Sequence, residues 1–198
     1  MVIKNNKGQG LLEAIAAIAI IIIGLVGTLA LVHSSIASHY EARTRVIAAN
    51  LAREAAEAVH NIRDDNWLAG NLWDDGLYDA SDYEGIPILD FITGYWSINF
   101  TADNFSSDMT NIYQYTSGSY KNFFVQAAIK PADTIKTSFR RLVVLKSICY
   151  DGSAEIIEDS ASCSTGEKIG VRIAVEVRWT EHERDHNLIV EDSVYNWR

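Results

Sequence analysis

A lone carboxylate stands at the start of the longest apolar run in this 198-residue chain. Glu13 follows Gln9-Gly10-Leu11-Leu12, and no Asp, Glu, Lys or Arg recurs until Glu41. Leu11 to Val32 spans about 33 Å as a helix, enough to cross a hydrocarbon core of ~30 Å. An acidic side chain there costs roughly 2.5–3.5 kcal/mol at the membrane centre and less near the interface. Glu13 therefore either sits hydrated at headgroup level or meets a cation. An amine freed by cleavage just upstream, on its own chain or on a neighbouring copy, would be such a cation.

Other residues could carry chemistry. His182-Glu183-Arg184-Asp185-His186 matches the zinc-protease pattern in letters. That chemistry needs both histidines one helical turn apart, with the Glu activating a metal-bound water. Here the residues interrupt two strand-like segments, so a hairpin tip is expected and no metal is assigned. Acidic residues crowd the stretch from Asp64 to Asp90, which holds no Lys or Arg. Calcium favours several oxygens, but the spacing is not that of an EF-hand loop, and a solvated acidic surface is expected. Cys149 and Cys163 are the only cysteines. In an oxidising compartment a disulfide is expected, closing a polar, acidic loop; in a cytosolic domain they would be free thiols.

The run that begins at Glu13 has no trusted Ala-x-Ala cleavage site behind it, so it reads as retained rather than as a secretory signal. Lys4 and Lys7 precede it, which puts the N-terminus on the cytoplasmic side and everything after Val32 outside. Lys7-Gly8-Gln9-Gly10-Leu11-Leu12-Glu13 resembles the class III signal of type IV prepilins and pseudopilins. The resemblance covers Lys4 to Arg63 well and the remainder in outline. It implies cleavage by a prepilin peptidase between Gly8 and Gln9, which places Glu13 at the fifth mature position. It also implies that Glu13 neutralises the amino terminus of an adjacent subunit during self-assembly into a filament, driven by a membrane assembly platform and its ATPase. The family's usual first mature residue is an N-methylated Phe. Here Gln9 stands in that place, which leaves methylation or cyclisation open. Many pilins also carry a proline in this helix. This stretch has none, and Gly24 and Gly27 are its weakest helix formers, by roughly 1 kcal/mol each against Ala. A local stretch of the helix would start at them, unless they only admit close helix packing.

Beyond Val32 the pattern becomes amphipathic. Ile36, Tyr40, Thr44, Ile47, Leu51, Ala55, Val59 and Ile62 recur at spacings of three and four. Asn61 and the cluster Asp64-Asp65-Asn66 read as the end of the helix. Strand-like segments follow at Tyr95–Phe100, Tyr120–Ile129, Phe139–Tyr150, Gly170–Thr180 and Asn187–Trp197. Residues 171–179 alternate cleanly, Val171, Ile173, Val175, Val177 and Trp179 against Arg172, Ala174, Glu176 and Arg178. Four or five strands, mostly antiparallel, in one twisted sheet need cover on one face, and the stripe from Ile36 to Ile62 is expected to supply it.

The expected fold class is α+β: a long N-terminal helix, half transmembrane and half amphipathic, on a C-terminal antiparallel sheet, as the pilin resemblance also implies. The expected divisions are a cleaved leader 1–8, a membrane or filament-core helix 9–32, its amphipathic continuation 33–63, an acidic connecting loop 64–93 and an extracellular β domain 94–198. The net charge is −9. Losing the leader would leave fifteen basic against twenty-six acidic residues, a net −11, which argues against general nucleic-acid binding. Lys121, Lys130, Lys136, Arg140, Arg141 and Lys146 form a basic stretch that either is ordinary surface or meets the acidic loop of a neighbouring subunit. The expected role is non-enzymatic and without cofactor. It is a filament subunit on the cell surface, single-pass in the membrane before assembly, and major pilin, minor pilin or pseudopilin of a secretion or DNA-uptake system within that class. The alternative of another class is a permanently anchored single-pass protein with an extracellular binding domain.

Overall fold

The computed structural model describes residues 9–79, 83–101, 104–160, 162–181 and 183–196. The leader 1–8, with Gly8, lies outside the described residues, and so do Asp82, His182 and Trp197. The chain separates into two units, Met1–Arg45 and Val46–Arg198.

Helix α1, Gln9–Ala69, runs through the first unit without a break. Every described side chain from Gly10 to Arg43 is exposed. Two of its polar interruptions satisfy themselves locally: Thr28 Oγ1 donates to the Leu25 carbonyl at 2.9 Å and Ser38 Oγ to that of Ser34 at 3.0 Å. Such back-bonding lets a hydroxyl sit on an apolar helix without water. Among the described residues this is the helix long and apolar enough to cross a membrane.

In the second unit α1 continues as the cover of a sheet. Ala48, Leu51, Ala52, Ala55, Ala56, Val59 and Ile62 are buried in one cluster with Val143, Leu145, Val171, Ile173, Val175, Val177 and Val194. The expected cover was longer. Ile36 and Tyr40 are exposed, and burial begins at Ile47 and Ala48. The helix also outlasts its expected end at Arg63. Arg63 Nε donates to Asp64 at 2.8 Å, and its guanidinium lies 4.6 Å from the centre of the Trp67 ring one turn on. These contacts offset acidic residues that would otherwise oppose the helix dipole. The true stop is Gly70, at φ +76°, with its N–H bonded to the Trp67 carbonyl at 3.2 Å and that of Asn71 to Asn66 at 2.9 Å. That pair of bonds is a Schellman ending, and the left-handed residue it needs is a glycine.

Eight antiparallel strands follow among the described residues, more than the four or five expected: β1 Glu84–Leu89, β2 Trp96–Asn99, β3 Asn111–Tyr115, β4 Phe124–Gln126, β5 Thr134–Tyr150, β6 Glu155–Glu158, β7 Glu167–Glu181 and β8 Arg184–Tyr195. Strand β5 is the spine. One edge pairs along β7, which pairs in turn with β8. Its other edge is shared end to end by β3, β1 and β6. β2 extends β1 and β4 extends β3. The alternation at 171–179 is real: Val171, Ile173, Val175, Val177 and Trp179 are all buried towards α1. On the opposite face Leu142 and Ile86 form a small second cluster, overlaid by Phe105 and Met109.

Region 64–93 is therefore not one loop but a helix end, a connection and strand β1. Pro87 hides that strand, because a proline argues against a ladder position. Only Glu84 and Gly85 pair with β5, so Pro87 needs its partner, Ile98, on one side only. The Tyr120–Ile129 segment shrinks to β4. β3 and β6 were unforeseen, since Asn111 and Gln114 dilute the first and the acidic loop disguises the second.

Five alanines between Ala48 and Ala58 are at most 5% exposed, so the helix lies close on the sheet. Ala52→Leu should lower unfolding stability by about 1–3 kcal/mol through overpacking. Ile36→Ala should leave it within about 0.5 kcal/mol. Denaturant titration followed by tryptophan fluorescence reads both.

Candidate functional site

The segment singled out by its chemistry is regular helix. Gln9 is its first residue, and Glu13 is exposed and makes no ion pair among the described residues. Lys4 and Lys7 lie outside those residues. Gly24 and Gly27 sit in unbroken helix, and a Cβ at either would meet nothing within 4 Å. Among the described residues no packing asks for a glycine at those positions.

Cys149 and Cys163 are joined by a disulfide with their Cα atoms 5.8 Å apart. Cys149 is fully buried at the end of β5, between Ile156 of β6 and Lys168 of β7. The bridge closes the β5–β6 excursion onto the sheet. Gly166 returns the chain there at φ +81°, so close to the Tyr150 carbonyl that a Cβ would collide with it. Asp151 tightens the turn, accepting from the Ser153 and Ala154 N–H groups at 2.8 and 2.9 Å. Those bonds, that of Ala154 foremost, hold its carboxyl below the usual aspartate range. At the same end Lys168 bonds Asp74 at 2.8 Å and lies 4.4 Å from the centre of the Tyr78 ring. This clips the connection after α1 to the sheet, with both charged groups largely buried.

The basic stretch does not form one surface. Arg141 is 2% exposed and belongs to the helix–sheet interior. Its Nη1 donates to the Leu51 carbonyl at 2.7 Å and to Glu54 at 3.2 Å, and its Nε donates to Gln126 at 2.9 Å. Gln126 donates onward to the carbonyls of Arg141 at 2.8 Å and Thr110 at 3.2 Å. Burial pulls the guanidinium below the ordinary arginine value, opposed by the charge and hydrogen bond of Glu54. Arg140 donates to the Phe105 carbonyl at 2.6 Å, and Lys146 pairs with Asp159 at 2.6 Å. Two of the six charges are thus committed on the outer face and one is buried, which removes Arg141 from any patch offered to a neighbour. Sequence reasoning missed this knot. Its one available signal was an arginine at an inward, odd-numbered position of a strand whose neighbours Phe139, Val143 and Leu145 are core.

The metalloprotease pattern is a hairpin in its described residues. Glu183 holds φ +61° at the turn, and Arg184, Asp185 and His186 lie in β8. His186 stacks on Trp179 across the ladder at 5.3 Å between ring centres. Among the described residues no group of three or more His, Cys, Asp or Glu is gathered to hold a metal.

The fold is thus α+β, a long apolar N-terminal helix laid on an antiparallel sheet, with one disulfide. Comparison with family models, curated proteins and solved structures finds no match.

Two tests follow from this geometry. Arg141→Ala should cost about 2–4 kcal/mol, since it leaves Gln126 and the helix carbonyl without their donor and opens a void. Glu54→Gln should cost less, about 1–3 kcal/mol. Replacing both Cys149 and Cys163 by Ser should remove about 3 kcal/mol for a closed loop of this size. Reductant should lower the wild type to that level and leave the double variant unmoved.

Proposed function

We propose that this chain is a structural subunit of a type IV pilus-like extracellular filament. It is inserted with its N-terminus inside, cut between Gly8 and Gln9 by a prepilin peptidase, and assembled through its hydrophobic N-terminal helix by a membrane platform and its ATPase. The observation that carries the reading is the pairing of two features in one helix. The apolar side chains of residues 10–32 are exposed on every side of the helix. At the head of that surface stands one carboxylate, Glu13, without a partner among the described residues.

A lipid bilayer satisfies the apolar surface first. A bundle of identical helices satisfies it after extraction, with head-to-tail contacts that repeat without closing. Glu13 supports the second state specifically, because a mere anchor gains nothing from an acid at that place. In the bundle its charge is matched by the amine at the mature N-terminus of an adjacent copy, Gln9. Gly24 and Gly27 then serve close approach between helices, which agrees with the open space around them in the single chain. The disulfide suits a domain that faces an oxidising exterior, where it holds the β5–β6 excursion on the sheet. The protein has no enzymatic role in this reading.

Glu13→Ala should abolish sedimentable filament from the native cells while the protein still accumulates in the membrane, since the substitution makes the helix easier to insert. Quantitative immunoblotting of sheared-cell supernatants and membrane fractions reads both. Unchanged filament yield would contradict the assigned role of Glu13.

A further inference from the structure

Beside the Arg141 knot lies a cavity of about 370 Å³ whose wall is aromatic. Phe91 and Trp96 come from the β1–β2 hairpin, Tyr120 and Phe123 from the β3–β4 connection, and Glu54 and Arg141 supply its charged groups. The volume falls within the ~300–1,000 Å³ typical of small-ligand sites, which combine apolar walls with a few polar groups. Trp96 packs against the core cluster, but the other three rings stand outside it. Phe91, Tyr120 and Phe123 are 38%, 45% and 60% exposed, and they hold one another edge and face, with Phe91 and Tyr120 5.1 Å apart and Tyr120 and Phe123 6.3 Å apart. An exposed aromatic cluster of this kind marks a binding surface.

Both turns that carry these rings are fixed by their own hydrogen bonds. Asp90 accepts from the Ile92 N–H and the Thr93 hydroxyl, each at 2.8 Å. The Tyr115 N–H donates to the Phe123 carbonyl at 3.0 Å, and the Asn122 N–H returns to Tyr115 at 2.9 Å. The rings are therefore placed before any ligand arrives, which lowers the entropic cost of binding.

The polar groups define the ligand. Arg141 Nη1 and Nε are committed, but Nη2 has no hydrogen-bond partner among the described residues. Glu54 meets Arg141 through Oε2, and its side chain is 41% exposed. A donor and an acceptor thus sit side by side, with their charges mutually neutralised. An anion meets Glu54 and a cation meets Arg141, so neither is favoured. The complement is a neutral group that accepts and donates at once, carried on a body with an apolar face. Hydroxyls on a pyranose ring meet both conditions. Their O–H groups bridge Arg141 and Glu54, and the ring's C–H bonds, slightly positive, lie on the electron-rich aromatic faces. In the larger groove of about 620 Å³ the rings are already covered: Phe105 lies under the Arg178 guanidinium at 4.0 Å, and Trp179 is 3% exposed and stacked on His186.

We propose that this aromatic cavity beside Arg141 and Glu54 is a binding site for a neutral pyranose sugar residue. The inference stands apart from the filament reading, since it concerns the second unit alone and holds equally for an anchored protein. The test uses the full chain in lipid nanodiscs, free of sugar-headed detergent. The probes are methyl glycosides of glucose, galactose, mannose and N-acetylglucosamine, followed by ligand-observed saturation-transfer NMR. At least one should bind with a dissociation constant of the order of millimolar, and Phe123→Ala and Tyr120→Ala should each weaken it roughly tenfold. Both side chains lie outside the core clusters, so both variants should still fold, and circular dichroism checks this. Three results would overturn the proposal: no glycoside of the set binding, benzoate or benzyl alcohol competing as well as the best sugar, or affinity untouched in both variants.

Discussion

The structure of the second unit depends on how closely one helix lies on one sheet. From Ala48 to Ala58 the face of α1 turned to the strands is built largely of alanine, with Leu51 and Val59 filling between. Small side chains let the helix backbone approach, and the β-branched rows of β5 and β7 supply the volume. At that separation Arg141 can reach the Leu51 carbonyl from the middle of the sheet. A bulkier helix face would lift the carbonyl away and leave a buried guanidinium with fewer partners. Packing and polarity are therefore one constraint here, because the alanines bring the backbone near enough for the charge to be tolerated.

The same helix meets an opposite demand nearer its N-terminus. Its residues there are apolar on all sides and exposed. Two lengths of one helix thus differ: the amphipathic part is covered by the sheet, and the uniformly apolar part is long enough to cross a membrane. The change occurs over a few residues around Thr44 to Ala48, where the sequence passes from Glu41, Arg43 and Arg45 to buried alanine. In the filament reading those charges fall between the packed core and the domain, where water is available to them.

Much of this was legible in the chain itself. The apolar run, the stripe through Leu51, Ala55, Val59 and Ile62, the alternation of β7 and the pairing of Cys149 with Cys163 are all strong periodic or compositional signals, and each is present. What escaped has a physical reason in each case. The helix passes through Asp64 and Asp65 because Arg63 and Trp67 stabilise the turn, a side-chain effect that composition does not reveal. Pro87 sits in a strand because β1 loses its second neighbour after Gly85, a matter of topology. β3 is weakly apolar because Asn111 is buried by its bonds to Asp108 rather than by its chemistry. Arg141 looked like surface beside Arg140, yet strand parity turns neighbouring arginines to opposite faces. Candidate site residues fared by kind. The disulfide can be checked in one chain, whereas Gly8, Gln9 and Glu13 concern a cut and a contact with other molecules.

The central claim is that this helix begins its working life at Gln9. The measurement that tests it most directly is the mass of the N-terminal peptide of the protein isolated from its native cells. The account predicts a peptide beginning at Gln9, whether unmodified, methylated or cyclised. A mature peptide that still begins at Met1 would contradict it and leave a permanently anchored domain in its place.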